Sequence, residues 1–183
     1  MPPKQRITRE MILETSFAMF CREGMEVVNA RSVAKALNCS TQPIFSYFAG
    51  MDDLKSALEN KARELFEAGI AAAIESDRPL FNGCMAYFQF AMRQPNLFRQ
   101  MFLLKRDNCP ANLTAINDAL RQKVVLPLAE KNGAAAAQVE ERCVKLWVFT
   151  HGVASLAAMG LLDMSEETVV EMLREAERNY ALN

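Results

Sequence analysis

Residues 38–54 read NCSTQPIFSYFAGMDDL, from Asn38 to Leu54. The stretch holds no lysine or arginine, and a proline sits near its start. Asparagine accepts positive φ more readily than most non-glycine residues, so Asn38 is expected to make a turn. Ser40 then reads as the cap of a short helix, with Thr41, Gln42 and Pro43 in its first turn. Amides in a first turn have no acceptor within the helix, so Pro43 removes no helix hydrogen bond there. Ile44 and Phe48 lie four apart and share a face, which is expected to anchor the helix. Phe45 stands beside that face, and Thr41, Gln42, Ser46 and Tyr47 are left more exposed.

Working outward, helical periodicity runs from end to end and nothing reads as strand. A first helix is expected from Thr8, its cap, to Glu23, with Ile12, Ser16, Phe17 and Phe20 inward and Gly24 as its stop. A short second helix starts at the cap Asn29, buries Val33, Ala34 and Leu37, and ends at Asn38. Gly50 breaks the chain again. A long helix then spans Met51 to Glu75, with Asp52 and Asp53 at its positive end and a stripe of Leu54, Leu58, Leu65, Ala68 and Ala72. Further helices are expected at about 78–93, 96–106, 112–131, 135–160 and 166–180. Their separators are Asp77/Pro79, Pro95/Asn96, Asn108/Pro110, Asn132/Gly133 and Asp163/Ser165. The fold class is therefore all-α, with three short helices and then larger ones, about nine in all.

The chain has 183 residues, about half of them apolar, and a formal net charge of −1. That excludes a globally basic coat for nucleic acid but allows a local basic surface. The first fifty residues carry six bases (Lys4, Arg6, Arg9, Arg22, Arg31, Lys35) against four acids (Glu10, Glu14, Glu23, Glu26). Cys21, Cys39, Cys84, Cys109 and Cys143 are odd in number and form no CxxC pair, so they read as free thiols in a reducing compartment. Met1 to Glu10 has no apolar signal region, and a cytoplasmic location is expected. The uncharged run Leu146 to Leu162 is at the short limit for a membrane span and reads better as a buried helix.

Two short helices joined by "LNCS" and braced by a first helix make a helix-turn-helix pattern, spanning about 29–48. Spacing alone leaves open a simple helical corner. Specific residues go further. Ile12, Phe20, Gly24, Val33-Ala34, Ser40, Ile44, Tyr47-Phe48 and Leu54 resemble the amino-terminal domain of the TetR family of transcriptional regulators over about residues 6–66. "LWVFTHGVASLAAMG" resembles the Trp-x-x-x-His-Gly segment of one branch of the family's regulatory domains, and "RQPNLFRQMF" suits that branch.

The resemblance implies a helix-turn-helix DNA-binding domain at 6–66 and a ligand-binding and dimerisation domain at 67–183. It implies a ligand-responsive repressor, acting as a homodimer on palindromic double-stranded operator DNA. Arg31, Ser40, Thr41, Gln42, Pro43, Phe45, Ser46, Tyr47 and Lys55 fall at or beside the DNA-contacting positions. Gln42 suits adenine, and Thr41 and Pro43 suit a thymine methyl. The helices at about 135–160 and 166–180 would form the dimer seam, with Val169, Val170, Leu173 and Tyr180 on the partner face. The family commonly has tyrosine where Phe45 stands and lysine where Met51 stands. Those departures motivate a second reading, a helical small-molecule binding protein whose helix-turn-helix no longer reads DNA.

His151 is the sole histidine, with no Cys or carboxylate at ligand spacing, so no metal or cofactor is expected. No acid–base pair or glycine-rich phosphate loop points to an enzyme. Trp147 and His151 lie one turn apart and read either as a stack inside a helix or as a pocket wall. The pocket reading gathers Phe88, Met92, Phe102, Trp147 and His151 around an apolar or aromatic ligand.

Overall fold

The computed structural model describes residues 7–104 and 118–180, and all regular structure among them is helical. Four helices build the amino-terminal part: α1 (Arg9–Glu23), α2 (Ala30–Ala36), α3 (Gln42–Tyr47) and α4 (Met51–Ile74). Five follow. These are α5 (Pro79–Arg93), α6 (Pro95–Phe98, running on as a π-helical turn Arg99–Leu103) and α7 (Asp118–Leu120, a π-helical turn Arg121–Val125, then Leu126–Asn132). The last two are α8 (Ala136–Ala158) and α9 (Glu166–Tyr180). The expected separator Asn108/Pro110, Cys109, Lys4 and Arg6 lie outside the described residues.

The local chemistry of the first two helices is as expected. Thr8 Oγ1 accepts from the Met11 amide at 3.2 Å. Asn29 Oδ1 accepts from the Ser32 amide at 3.0 Å, while Ser32 Oγ accepts from the Asn29 amide at 3.1 Å, a reciprocal capping box. Asn38 takes φ 51° and turns the chain between α2 and α3. Gly24 stops α1 with φ 97° and ψ 172°, a region that only glycine occupies without strain.

The start of α3 corrects one expectation. Ser40 is not the cap; Thr41 holds that position, in helical geometry and with no side-chain cap bond. The physical reason is Pro43. In α1 and α2 the capping side chain binds the amide three residues on. Three residues after Ser40 stands a proline, which has no amide to offer. The Ile44 amide instead bonds the Thr41 carbonyl at 3.1 Å.

A first core joins α1 to α4. Ile12, Phe20, Val33, Ile44, Leu54 and Leu58 are fully shielded within it. Ala62 is the last buried α4 residue in this core; Phe66 and Ile70 turn instead to aromatic side chains of α5 and α6. The expected stripe through Leu65, Ala68 and Ala72 is corrected here, because all three are exposed. Buried positions on α4 recur every four residues, so the stripe drifts around the helix by about 40° per step. The drift follows the change of partner, from α1 in the first half to α5 in the second.

Ser16 is fully buried on the inner face of α1, and its hydroxyl has no hydrogen-bond partner among the described residues. An unmet buried hydroxyl costs about 1–3 kcal/mol. Ser16→Ala is therefore expected to raise unfolding stability by about 1 kcal/mol, measured by urea denaturation. A variant less stable than the parent would show that the hydroxyl finds a partner.

Candidate nucleic-acid interface and aromatic cluster

Helix α3 is pinned on one side and open on the other. Ile44 and Phe48 are 0% and 2% exposed, whereas Phe45 is 52% and Tyr47 40% exposed. Gln42 and Ser46 are exposed, and Thr41 and Pro43 are half-buried. Ser40 and Arg31 are exposed and Lys55 is half-buried. Two hydroxyls are already engaged. Ser46 Oγ donates to the Gln42 carbonyl at 3.0 Å. Tyr47 Oη donates to the Ile7 carbonyl at 3.3 Å, which ties the segment before α1 to α3. Gln42 is exposed at the start of this open face.

Charge reaches this surface from neighbouring elements. The Arg9 guanidinium lies 4.9 Å from the centroid of the Phe48 ring, a cation–π contact that holds a base beside the end of α3. At the head of α4, Asp53 Oδ2 accepts from the Ala49 amide at 2.9 Å and fixes the break at Gly50. Arg9 reads from the sequence only as part of a basic start, because its contact with Phe48 crosses 39 residues of chain.

The second constellation is aromatic. Tyr87 of α5 is 4% exposed and meets Phe66, Phe98, Phe102, Trp147 and His151 at ring-centroid distances of 5.3–6.3 Å. Trp147 and His151 stack on α8 with centroids 5.1 Å apart and planes at 16°. Tyr87 Oη lies 2.8 Å from His151 Nδ1, and Ser155 Oγ lies 3.4 Å from Nε2. Burial pushes the Tyr87 hydroxyl above its ordinary range and His151 below its own. A phenol that keeps its proton and an imidazole that stays neutral make this a hydrogen bond between uncharged partners, with the second ring nitrogen turned to Ser155.

The five residues expected around a pocket do not gather at one place. Phe102, Trp147 and His151 meet around Tyr87. Phe88 lies 1% exposed in a separate cluster with Phe81, Val153, Val169 and Leu173. Met92 is 51% exposed. Tyr87 is the residue that sequence reasoning missed. The signal for Tyr87 was present in the spacing of Phe81, Cys84, Phe88 and Ala91, the buried face of α5. Its hydrogen bond to His151, 64 residues on, was not.

Helix α6 joins the two constellations. Leu97 is fully buried in the core of α1–α4, and Phe98 is fully buried in the aromatic cluster. Asn96 Nδ2 donates to the Cys21 carbonyl at 2.9 Å and locks α6 to the end of α1. The π-helical turn that follows sends Met101 toward the first core and Phe102 toward the second. Among the described residues no group of His, Cys, Asp and Glu side chains is placed to hold a metal ion. No described helix is long and apolar enough to cross a membrane.

The family model described as "Tetracyclin repressor-like, C-terminal domain" matches residues 80–178, more than half of the chain. The chain belongs to this TetR-like family of transcriptional regulators. The matched region runs from α5 through α9 and contains Tyr87, Trp147 and His151. A search of curated proteins finds no match to the chain.

His151 makes one pH dependence predictable. Its folded pKa lies below the ordinary 6.5 because burial penalises the charged ring. The unfolded chain therefore takes up a proton first as pH falls. Stability from the neutral ring is complete above about pH 6.5 and is lost on acidification through the folded pKa. Relative to His151→Gln, the parent is expected to lose denaturation free energy between about pH 7 and pH 5. Parallel stability–pH curves for the two proteins would contradict this account.

Proposed function

We propose that the protein is a homodimeric transcriptional repressor that binds palindromic operator DNA through α3 and releases it on binding an apolar or aromatic ligand, acting in the cytoplasm. The observation that carries the reading is the division of α3 into an anchored inner face, Ile44 and Phe48, and an exposed outer face around Gln42, Phe45, Ser46 and Tyr47. A side-chain amide such as that of Gln42 can pair in two places with adenine N6 and N7. Thr41 and Pro43, at the edge of the same face, suit a thymine methyl. Arg31, Lys55 and Arg9 supply positive charge for phosphates. The reading head takes in residues 6–66, and 67–183 carry response and dimerisation.

Dimerisation is supported by α8. Its inner face, including Leu146, Thr150, Val153 and Ala154, is buried within the chain. Its outer face leaves Val148, Leu156 and Met159 between 42% and 52% exposed, with Gly152 on the same stripe. Leu161 and Met164, just after the helix, are exposed as well. Contiguous exposed apolar surface of this kind suits a partner subunit. Val169 and Leu173 of α9 are fully buried against Phe81, Phe88 and Val153 of their own chain, so the seam in this reading draws mainly on α8. Ligand response is supported by α6, whose neighbours Leu97 and Phe98 are shared between the head and the aromatic cluster. A ligand that favours one position of α6 would change the population of heads spaced for DNA.

The exposed phenyl ring of Phe45 has no hydroxyl for a phosphate, which favours the second reading, a ligand-binding protein that has lost DNA reading. Selection of random duplexes by the full chain separates the two. Enrichment of an inverted repeat is expected under the first reading, and no binding to any duplex at low salt under the second. Gln42→Ala is expected to relax base preference by about 1–3 kcal/mol at one position of each half-site. Arg31→Ala is expected to weaken binding across sequences and to reduce the slope of affinity against salt, measured by fluorescence anisotropy. An unchanged salt slope would remove Arg31 from the phosphate contacts.

A further inference from the structure

The start of α5, the end of α7, the first turns of α8 and the end of α9 enclose a cleft of about 270 Å³. It lies apart from the aromatic cluster: Tyr87, Trp147 and His151 do not line it. Its apolar wall is made by Leu80, Leu128, Val139 and Cys143. Val139 and Cys143 are 3% and 4% exposed, and burial pushes the Cys143 thiol up to about 11, so the sulfur stays protonated and apolar in character. Four cations surround that wall, Arg78, Lys131, Arg142 and Arg178, against two carboxylates, Asp77 and Glu177. Glu177 is ion-paired with Arg78, whose guanidinium also lies 4.4 Å from the Phe81 ring centroid. Helix α5 begins in the cleft at Pro79, and no side chain caps it. Its dipole therefore adds to the positive field.

We propose that this cleft binds a small amphipathic carboxylate, with its apolar body against Leu128, Val139 and Cys143 and its carboxylate held by Lys131 and Arg178. Both halves of the ligand are required by the lining. An inorganic anion would meet the cations but leave the apolar wall against water. A neutral ring would cover the wall but bring no counter-charge to Lys131 and Arg178. The planar fork of arginine matches a carboxylate in two-point contact. The volume falls just below the range of about 300–1,000 Å³ that holds drug-sized molecules, which selects a single ring or a short acyl chain. The cleft also lies on the α5 side of α9, where Arg174 and Glu177 face α5, and away from the outer stripe of α8.

Binding here does not depend on the chain reading DNA, and the test contains none. The full chain is titrated with benzoate and octanoate, with benzamide as the neutral counterpart and inorganic phosphate as the bare anion. Val139 methyl resonances report occupancy of the wall. Fluorescence of Trp147, one turn from Cys143 on α8 and the only tryptophan, reports it independently. At least one carboxylate is expected to saturate at millimolar concentration, with benzamide and phosphate at least tenfold weaker. Lys131→Ala combined with Arg178→Ala, both exposed positions, is expected to weaken the carboxylate at least tenfold with an unchanged thermal melt. Val139→Phe fills the wall and is expected to abolish binding. Equal affinity for benzoate and benzamide, unchanged affinity in the double variant, or no saturable Val139 shift with either carboxylate would each overturn the assignment.

Discussion

Leu97 and Phe98 are consecutive on a short helix, and both are fully buried, yet they enter different cores. Neighbouring residues on an α-helix point about 100° apart, so one helix wedged between two cores can serve both only at a residue pair like this. The first core then cannot be packed without α6, because Leu97 fills part of it. The aromatic cluster cannot be packed without α6 either, because Phe98 and Phe102 form one of its walls. The Asn96 bond to the Cys21 carbonyl fixes the register of this wedge. Packed interiors are stiff, so a displacement of α6 at one core is carried to the other rather than absorbed.

The aromatic cluster combines apolar bulk with one polar pair. Edge-to-face contacts around Tyr87 tolerate several ring types, but the 2.8 Å approach of its hydroxyl to His151 tolerates one arrangement of side chains. The pair joins α5 to α8, the two helices that share the most extensive packing among the described residues. Burial keeps the phenol protonated and the imidazole neutral, so the bond is between uncharged partners and needs no counter-ion. Ser155 completes the set one turn along α8. The outward face of the same helix carries Val148, Leu156 and Met159, so α8 offers a specific polar contact inside and a plain apolar surface outside.

The sequence was most legible where structure is local. Thr8, Asn29 and Asn38 act through bonds or dihedrals within three residues of themselves, and each does what its side chain suggests. Ser40 looked alike and did not cap, because the amide it needed belongs to a proline. The inner face of α3 was legible as the pair Ile44 and Phe48, and with it the identity of the exposed face. The inner face of the second half of α4 was not, since its stripe bends toward α5, a partner that periodicity does not name. The expected pocket residues divide for the same reason. Phe88 and Met92 sit on α5 with different neighbours from Phe102, Trp147 and His151.

What the amino-acid sequence determined by itself is the all-helical fold, the caps Thr8 and Asn29, the turn at Asn38, and the split of α3 into anchor and open surface. Each depends on contacts within one or two turns, where residue type and spacing are sufficient. What only the tertiary structure decided is which side chains meet across long stretches of chain. Arg9 lies on Phe48, Tyr47 holds the Ile7 carbonyl, Tyr87 holds His151, and four cations converge around Val139 and Cys143. These meetings depend on helix crossing and on which core each helix enters. Those are properties of the packed whole, set by the wedge of α6 and the pairing of α5 with α8.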